Sequence, residues 1–441
     1  MDAVDFLEYV NRTSAEHVVT ESLKRIQSSD LNAFVETFDD DALRRAKELD
    51  ALPVSQRGRL HGLIVGVKDE VHVAGYITGF GTRANDKPAK ESSHIVRALE
   101  AAGAIMIGHT RMPEFGAWPV TESTYGGITR NPLDTRLSPG GSSGGTAAAI
   151  AGGLIPVGIG GDGGGSIRIP AAMTGLVGLK PRRGRVSTAP EPHLWWSLGV
   201  TGVLTKSVRD AALIYDVISG NEATDLYTAD PMGSLVEALD NPPSSLKFMT
   251  VSHAPAMGIA RTIRDGLAQT ERKLAKCGYQ KVPGPRFLPD ATRAFVPQFF
   301  AGIRTEYAAV DHPELLESRT AQVNSLGAWV SDDVRKKAEA RGEVVAQKVD
   351  QLLDRAEVIL TPTLAALPPR ADVTRNKGAI RTALVARPYI AFTSLFNVTG
   401  HPAMTIPVQV DKAFPVGIQL VARNEETLVA VAQQIMGGKL R

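Results

Sequence analysis

The stretch from Ser138 to Pro181 limits what this chain can become more than any other. It reads S-P-G-G-S-S-G-G-T-A-A-A-I-A-G-G-L-I-P-V-G-I-G-G-D-G-G-G-S-I-R-I-P and closes on G-L-V-G-L-K-P. Between Pro139 and Gly161 no residue is charged, yet Ser142, Ser143 and Ser166 stand beside glycines at its two ends. A chain gives up side-chain packing at so many positions where its backbone must bend sharply or approach something closely. An uncharged run of this length would also suit a membrane span. Against that reading, Pro156 and the glycines make a poor helix in lipid, and the flanks carry no aromatic and basic anchors. The pattern instead predicts a turn at 140–145, a small-residue helix over Thr146 to Gly153 and a strand over Ile155 to Gly160. A second turn at 161–165 then leads through Ser166 into a short helix. Both turns can present backbone N–H groups and serine hydroxyls to a ligand.

The rest of the 441-residue chain reads as ordinary globular sequence with a sizeable core and no linker, repeat or low-complexity tract. A net charge of +2 provides no general field for nucleic acid or anionic lipid. The single cysteine, Cys277, excludes an internal disulfide and suits a reducing compartment. The acidic opening Met1-Asp2-Ala3-Val4-Asp5 has no apolar h-region, so the expected location is cytoplasmic.

Helix and strand patterns alternate along the chain as in an α/β layer fold. Residues 1 to 52 read as helices with a short extended run at Leu31 to Val35, and Thr13-Ser14-Ala15-Glu16 reads as a capping box. Residues 61 to 72 read as a strand that breaks at a charged cluster, further strands follow at Ala104 to Gly108, Leu246 to Val251 and Val358 to Leu360, and Ser207 to Ser219 is an amphipathic helix. Met404 to Val410 and Val416 to Ala422 alternate as an antiparallel pair about a turn at Asp411-Lys412. Residues 220 to 350 are helix-rich and hold no assignable motif. The basic run Lys180 to Arg185 reads as a solvated loop, since no second cluster or aromatic platform joins it.

Lys68 ends an apolar strand that would carry it into the interior. Two readings stay open for it: a salt bridge to Asp69 or Glu70, or a desolvated amine whose lowered pKa makes it a base. The loop from His109 to Asp134, with Trp118 and Tyr125, reads as one wall of a binding pocket. Two common motifs fit the glycines badly. Gly141-Ser142-Ser143-Gly144-Gly145 matches G-x-S-x-G, but His193, His253, His312 and His401 have no distinctive surroundings. Gly158 to Gly163 matches G-x-G-x-x-G, but the acidic residue expected about 20 positions on is replaced by basic ones. A nucleophilic serine with amide donors from Gly163, Gly164, Gly165 and Ser166 and a neutral Lys68 as base uses all the parts.

Taken together, G-G-S-S-G-G at 140–145, G-D-G-G-G-S-I-R-I-P at 161–170 and G-V-K-D at 66–69 resemble the amidase signature family of serine hydrolases. So do R-N-P at Arg130 to Pro132, G-L-K-P at Gly178 to Pro181, N-x-x-G-x-P-A at Asn397 to Ala403 and P-V-G-I-Q-L-V at Pro415 to Val421. The resemblance implies one large α/β domain: a central mixed sheet flanked on both faces by helices. Its catalytic core spans about 60–220 plus 355–437, and a variable helix-rich pocket region spans about 220–350. It implies Ser166 as nucleophile, Ser142 as a bridging serine after a cis peptide, Lys68 as base, and oxyanion or substrate contacts from Gly163, Gly164 and Gly165. Asp162 and Arg168 are expected to pair and hold the oxyanion loop, and Ser143 to be structural. Trp118, Tyr125, Trp195 and Trp196 are candidates for an aromatic-lined pocket, with core packing as the other reading. The implied activity is hydrolysis of small or aryl amides, with carbamates and esters in reach, without metal or organic cofactor. The expected partner is a small amide or carbamate, not nucleic acid or membrane, and the chain is expected to be a monomer or homodimer. The alternatives are a glutamine-hydrolysing amidotransferase component or a catalytically silent binding protein. The sequence departs from the family pattern at Gly161 and Gly163, where larger residues are usual, so a looser oxyanion turn or room for bulkier acyl groups is expected.

Overall fold

The structure is a computed structural model and describes residues 1–254, 257–411 and 414–437. Its strands in chain order are β1 (Phe34–Thr37), β2 (Ile64–Lys68), β3 (Ile105–Thr110), β4 (Glu122–Ser123), β5 (Gly127–Ile128), β6 (Val157–Gly161) and β7 (Val177–Lys180). They continue as β8 (Thr201–Thr205), β9 (Lys247–Thr250), β10 (Gln280–Lys281), β11 (Val358–Pro362), β12 (Ala403–Val408) and β13 (Val416–Val421). Apart from the small β4–β5 hairpin they form one mixed sheet, ordered β1-β3-β2-β6-β8-β7-β12-β13-β11-β9-β10. β3, β2 and β6 run parallel, as do β11, β9 and β10, and the strands between them pair antiparallel.

Period-two side-chain alternation places helices on both faces of this sheet. Val358 and Leu360 of β11 enter one core with the helices Arg261–Lys276 and Glu425–Met436, while Ile359 between them enters another with Asp332–Leu353. The single α/β domain with a mixed sheet is thus as the resemblance implied. Most element predictions fall within two residues of the structure. Lys412 of the expected β12–β13 turn lies outside the described residues, although β12 and β13 do pair antiparallel. The expected capping box does not form: Ser14 is the N-cap of Ala15–Gln27, accepting the His17 amide at 3.1 Å, with no reciprocal side-chain bond among the described residues. The Asp50 carboxylate takes the Ala15 and Glu16 amides, which leaves Thr13 no capping role.

The uncharged stretch folds as turn, helix Gly144–Ala151, strand β6 and turn, with seven of its eight helical residues buried. Among the described residues no helix is long and apolar enough to cross a membrane. The solvated-loop reading of Lys180 to Arg185 is overturned. Lys180 is wholly buried, its Nζ donating to the Pro181 carbonyl at 2.7 Å, and Arg185 pairs with buried Glu425 at 3.1 Å. Burial pushes the Lys180 ammonium well below its ordinary pKa.

Candidate active site

β2 and β6 are parallel neighbours, with Gly66 opposite Gly158, so both carboxyl ends open at the same edge of the sheet. Open α/β sheets bind ligands beyond such ends. Lys68 is the last residue of β2 and Gly161 the last of β6. The Lys68 side chain is 1% exposed and its Nζ lies 2.7 Å from Ser142 Oγ. The salt-bridge reading holds for Glu70, whose Oε1 approaches Nζ at 2.9 Å, and the amine is desolvated as the other reading asks. Asp69 points away and accepts the amides of Gly79 and Gly81. Burial lowers the Lys68 pKa, while the Glu70 charge and that of Asp162 pull it back up.

Ser142 follows a cis peptide from Gly141, the geometry the resemblance implies. Ser143 donates its hydroxyl to the Gly161 carbonyl at 3.3 Å, and its amide to the Ser166 carbonyl at 3.3 Å. These bonds fasten the first serine turn to the second. Ser166 itself is partly exposed and lines a cavity of about 870 Å³.

The second turn is organised by Asp162, which accepts the amides of Gly165 at 2.7 Å and Ile167 at 3.1 Å. Gly165 therefore cannot serve as an oxyanion donor through its N–H, contrary to the expectation. Among the described residues the N–H groups of Gly163, Gly164 and Ser166 have no acceptor. Gly165 contributes shape instead: its φ is +131°, and a Cβ there would stand 2.5 Å from Thr393 Oγ1.

Asp162 and Arg168 pair at 2.8 Å with both side chains fully buried, as expected from the sequence. Burial alone would raise the Asp162 pKa, but the Arg168 guanidinium and donated hydrogen bonds outweigh it and hold the carboxyl well below its ordinary range. Arg168 also donates to Gln419 Oε1 at 2.7 Å, to Asn397 Oδ1 at 2.6 Å and to the Thr393 carbonyl at 3.0 Å. Sequence reasoning quoted the motifs holding Asn397 and Gln419 but assigned neither a task. Polar residues inside apolar runs such as P-V-G-I-Q-L-V were the available signal.

Of the four aromatic candidates, Trp118 and Trp195 line the cavity, and Tyr125 and Trp196 do not. Tyr125 is 49% exposed on the β4–β5 turn, with Arg83 over its ring. Trp195 and Trp196 are consecutive, both with left-handed backbone (φ +50° and +57°), and their rings part. Trp196 stacks on His193 and lies under the Arg335 guanidinium. The space left by Gly163 is not free for an acyl group, since a Cβ there would stand 2.9 Å from the Trp195 ring. The space at Gly161 is likewise taken, by the Glu70 carboxylate.

Sequence reasoning missed the helix Thr292–Ala309, inside the stretch it left unread. Phe295 and Phe299, one turn apart, line the cavity, and Phe299 packs edge-on against Trp195 with ring centroids 5.6 Å apart. The F-x-x-x-F-F spacing was the signal. Among the histidines, His253 reaches the cavity wall, while His312 and His401 pair with Asp86 and Asp350. No hydrogen bond links a histidine to Ser142, Ser143 or Ser166 among the described residues.

Comparison with known proteins places the chain in a class. The amidase family description matches residues 17–429, nearly the whole chain. The chain belongs to the amidase family, and the class that fold and family define is an amide hydrolase. AmiB2 of Mycobacterium tuberculosis, which bears the name of an amidase, is 36% identical over 94% of this chain and 90% of its own. A component of the glutamyl-tRNA(Gln) amidotransferase of Synechococcus is more distant, 31% identical over 97% and 94%. Among solved structures, 6-aminohexanoate cyclic dimer hydrolase superposes with TM-score 0.88 at 25% identity, covering 99% of this chain and 96% of that one. A bacterial aryl acylamidase of the amidase signature family shares the fold with TM-score 0.89 at 24% identity, covering 100% and 96%.

Proposed function

We propose that this protein hydrolyses the C–N bond of amides with a bulky apolar or aryl acyl group, through an acyl-enzyme on Ser166. The observation that carries the reading is a buried lysine whose Nζ sits 2.7 Å from the Ser142 hydroxyl, next to a glycine turn that carries Ser166 into the wall of an apolar cavity. In this reading neutral Lys68 takes the Ser142 proton as Ser142 takes that of Ser166, and Ser166 Oγ attacks the acyl carbon. The oxyanion that forms meets the free amides of Gly163, Gly164 and Ser166, each worth ~3 kcal/mol to the chemical step. The protons return through Ser142 to the leaving amine, and water then releases the acid. Trp118, Trp195, Phe295 and Phe299 would hold the acyl group, a setting that suits aryl or long chains better than a glutamine side chain. Carbamates and esters with the same acyl shape fall within reach of the same chemistry.

The test is a panel of anilides, primary amides, carbamates and esters assayed against Ser166→Ala, with intact-mass detection of a fluorophosphonate adduct. Faster turnover of anilides of aryl or long-chain acids than of acetanilide, and labelling, both lost in Ser166→Ala, are the expected results. A wild type that never labels would favour the silent binding protein. Glutaminase activity appearing only with added amidotransferase components would favour the amidotransferase reading.

A further inference from the structure

Lys68 Nζ faces two partners with opposite demands. Ser142 needs it as an uncharged acceptor, whereas Glu70, 2.9 Å away, stabilises it as ammonium. The chain arranges this second contact by two local devices. The backbone folds back directly after β2, the Glu70 amide donating to the Lys68 carbonyl at 2.7 Å, which returns the carboxylate to the lysine. Gly161 then leaves the carboxylate its place, because a Cβ there would lie 1.9 Å from Glu70 Oε1. A Cβ on Gly116 would lie 3.0 Å from Ser142 Oγ and 3.5 Å from the other oxygen, Glu70 Oε2, so both groups border the space that this glycine leaves open. Its side chain is 9% exposed, and little water screens the pair.

We propose that Glu70 is a positioning residue of this hydrolase, holding the Lys68 ammonium between itself and Ser142 and thereby fixing the pH above which the lysine can accept a proton. The inference rests on the reading of Lys68 as the base. The other polar groups facing the pair are few. β6 presents the Gly161 carbonyl, 3.5 Å from Nζ, and the turn after it adds the Asp162 charge, already neutralised by Arg168. From the helix Thr292–Ala309, Glu306 faces Glu70; burial, then the Glu70 and Glu191 charges, push its carboxyl up to about 7. A charged Glu306 would repel the Glu70 carboxylate.

The sign follows from the charge. A carboxylate beside the ammonium favours the protonated form, so it delays the appearance of the base to higher pH. Its removal must move the acidic limb of activity to lower pH. The experiment measures the second-order rate of fluorophosphonate labelling of Ser166 from pH 5 to 10 in four proteins: wild type, Glu70→Gln, Gly161→Ala and Lys68→Met. Glu70→Gln is expected to shift the limb down by about one unit or more, roughly tenfold faster labelling at a fixed pH on the wild-type limb. Gly161→Ala keeps every polar group but evicts the carboxylate, and its backbone is not in the left-handed region, so it is expected to shift the limb the same way. It decides the question if Glu70→Gln does not fold. A uniform loss of rate with an unmoved limb in these variants assigns Glu70 to scaffolding and overturns the proposal. Undiminished labelling of Lys68→Met would instead sink the reading of Lys68 as base.

Discussion

At the scale of single residues, burial drives an interior lysine toward its neutral form unless a countercharge holds the ammonium, and Lys68 has a partner for each form. Lys68→Met is therefore expected to abolish turnover of anilides, measured as kcat/KM on protein checked by circular dichroism to be folded, since the methionine fills a similar volume but leaves Glu70 without its countercharge. In the wild type, burial lowers the lysine pKa, so kcat/KM is expected to rise through neutral into alkaline pH as the ammonium deprotonates. A flat profile with acylation rate-limiting would count against the relay. Ser143 separates structure from chemistry. Its hydroxyl serves the Gly161 carbonyl, so Ser143→Ala should cost about 1 kcal/mol in urea unfolding and keep the fluorophosphonate adduct. The serines drew notice beside glycine turns and Lys68 at the end of an apolar strand, while their separate tasks came from the family resemblance. The task of Gly165 was not legible: which amides in a run of glycines face a ligand depends on where one carboxylate, Asp162, turns.

At the scale of elements, the pocket is built by pieces from opposite ends of the chain. The loop holding Trp118 was readable as a wall because its aromatics sit among prolines and glycines. The helix Thr292–Ala309 was not, since Phe295 and Phe299 on a helix look the same whether they face a core or a cavity. Trp195 and Trp196 show the same limit, because one local backbone conformation sends one ring into the cavity and the other under Arg335. Phe299→Ala is expected to raise KM for aryl acyl amides roughly tenfold and to leave a small-acyl amide nearly unchanged, since only a large acyl group reaches that ring. Equal effects on both substrates would mean that Phe299 supports Trp195 rather than contacts the acyl group.

At the scale of the whole molecule, the Asp162–Arg168 pair ties the serine turn to Asn397 and Gln419, more than 200 residues along the chain. Asp162→Asn would leave a buried guanidinium uncompensated, at an expected loss of roughly 3–5 kcal/mol in denaturant unfolding. The pair also shapes acid stability. Asp162 has a depressed folded pKa, so its contribution is complete above the ordinary carboxyl value of about 4 and disappears as pH falls through the folded one. Asp162→Asn should lack this component in pH-dependent unfolding below pH 4. The broad α/β plan was visible in the alternation of strand and helix patterns, whereas this long-range fastening was not: a glutamine inside an apolar run marks Gln419 as unusual without naming Arg168 as its partner.

That fastening also orders events during synthesis. The serines and the lysine leave the ribosome early, but the side chains that brace their turn are still inside the tunnel or not yet made. The newborn chain is thus expected to stay inert through most of its translation and to acquire a reactive serine only after Gln419 emerges. Ribosome-bound chains halted near residue 390 should give no fluorophosphonate adduct, and labelling at that length would show that the turn sets itself without its distant brace.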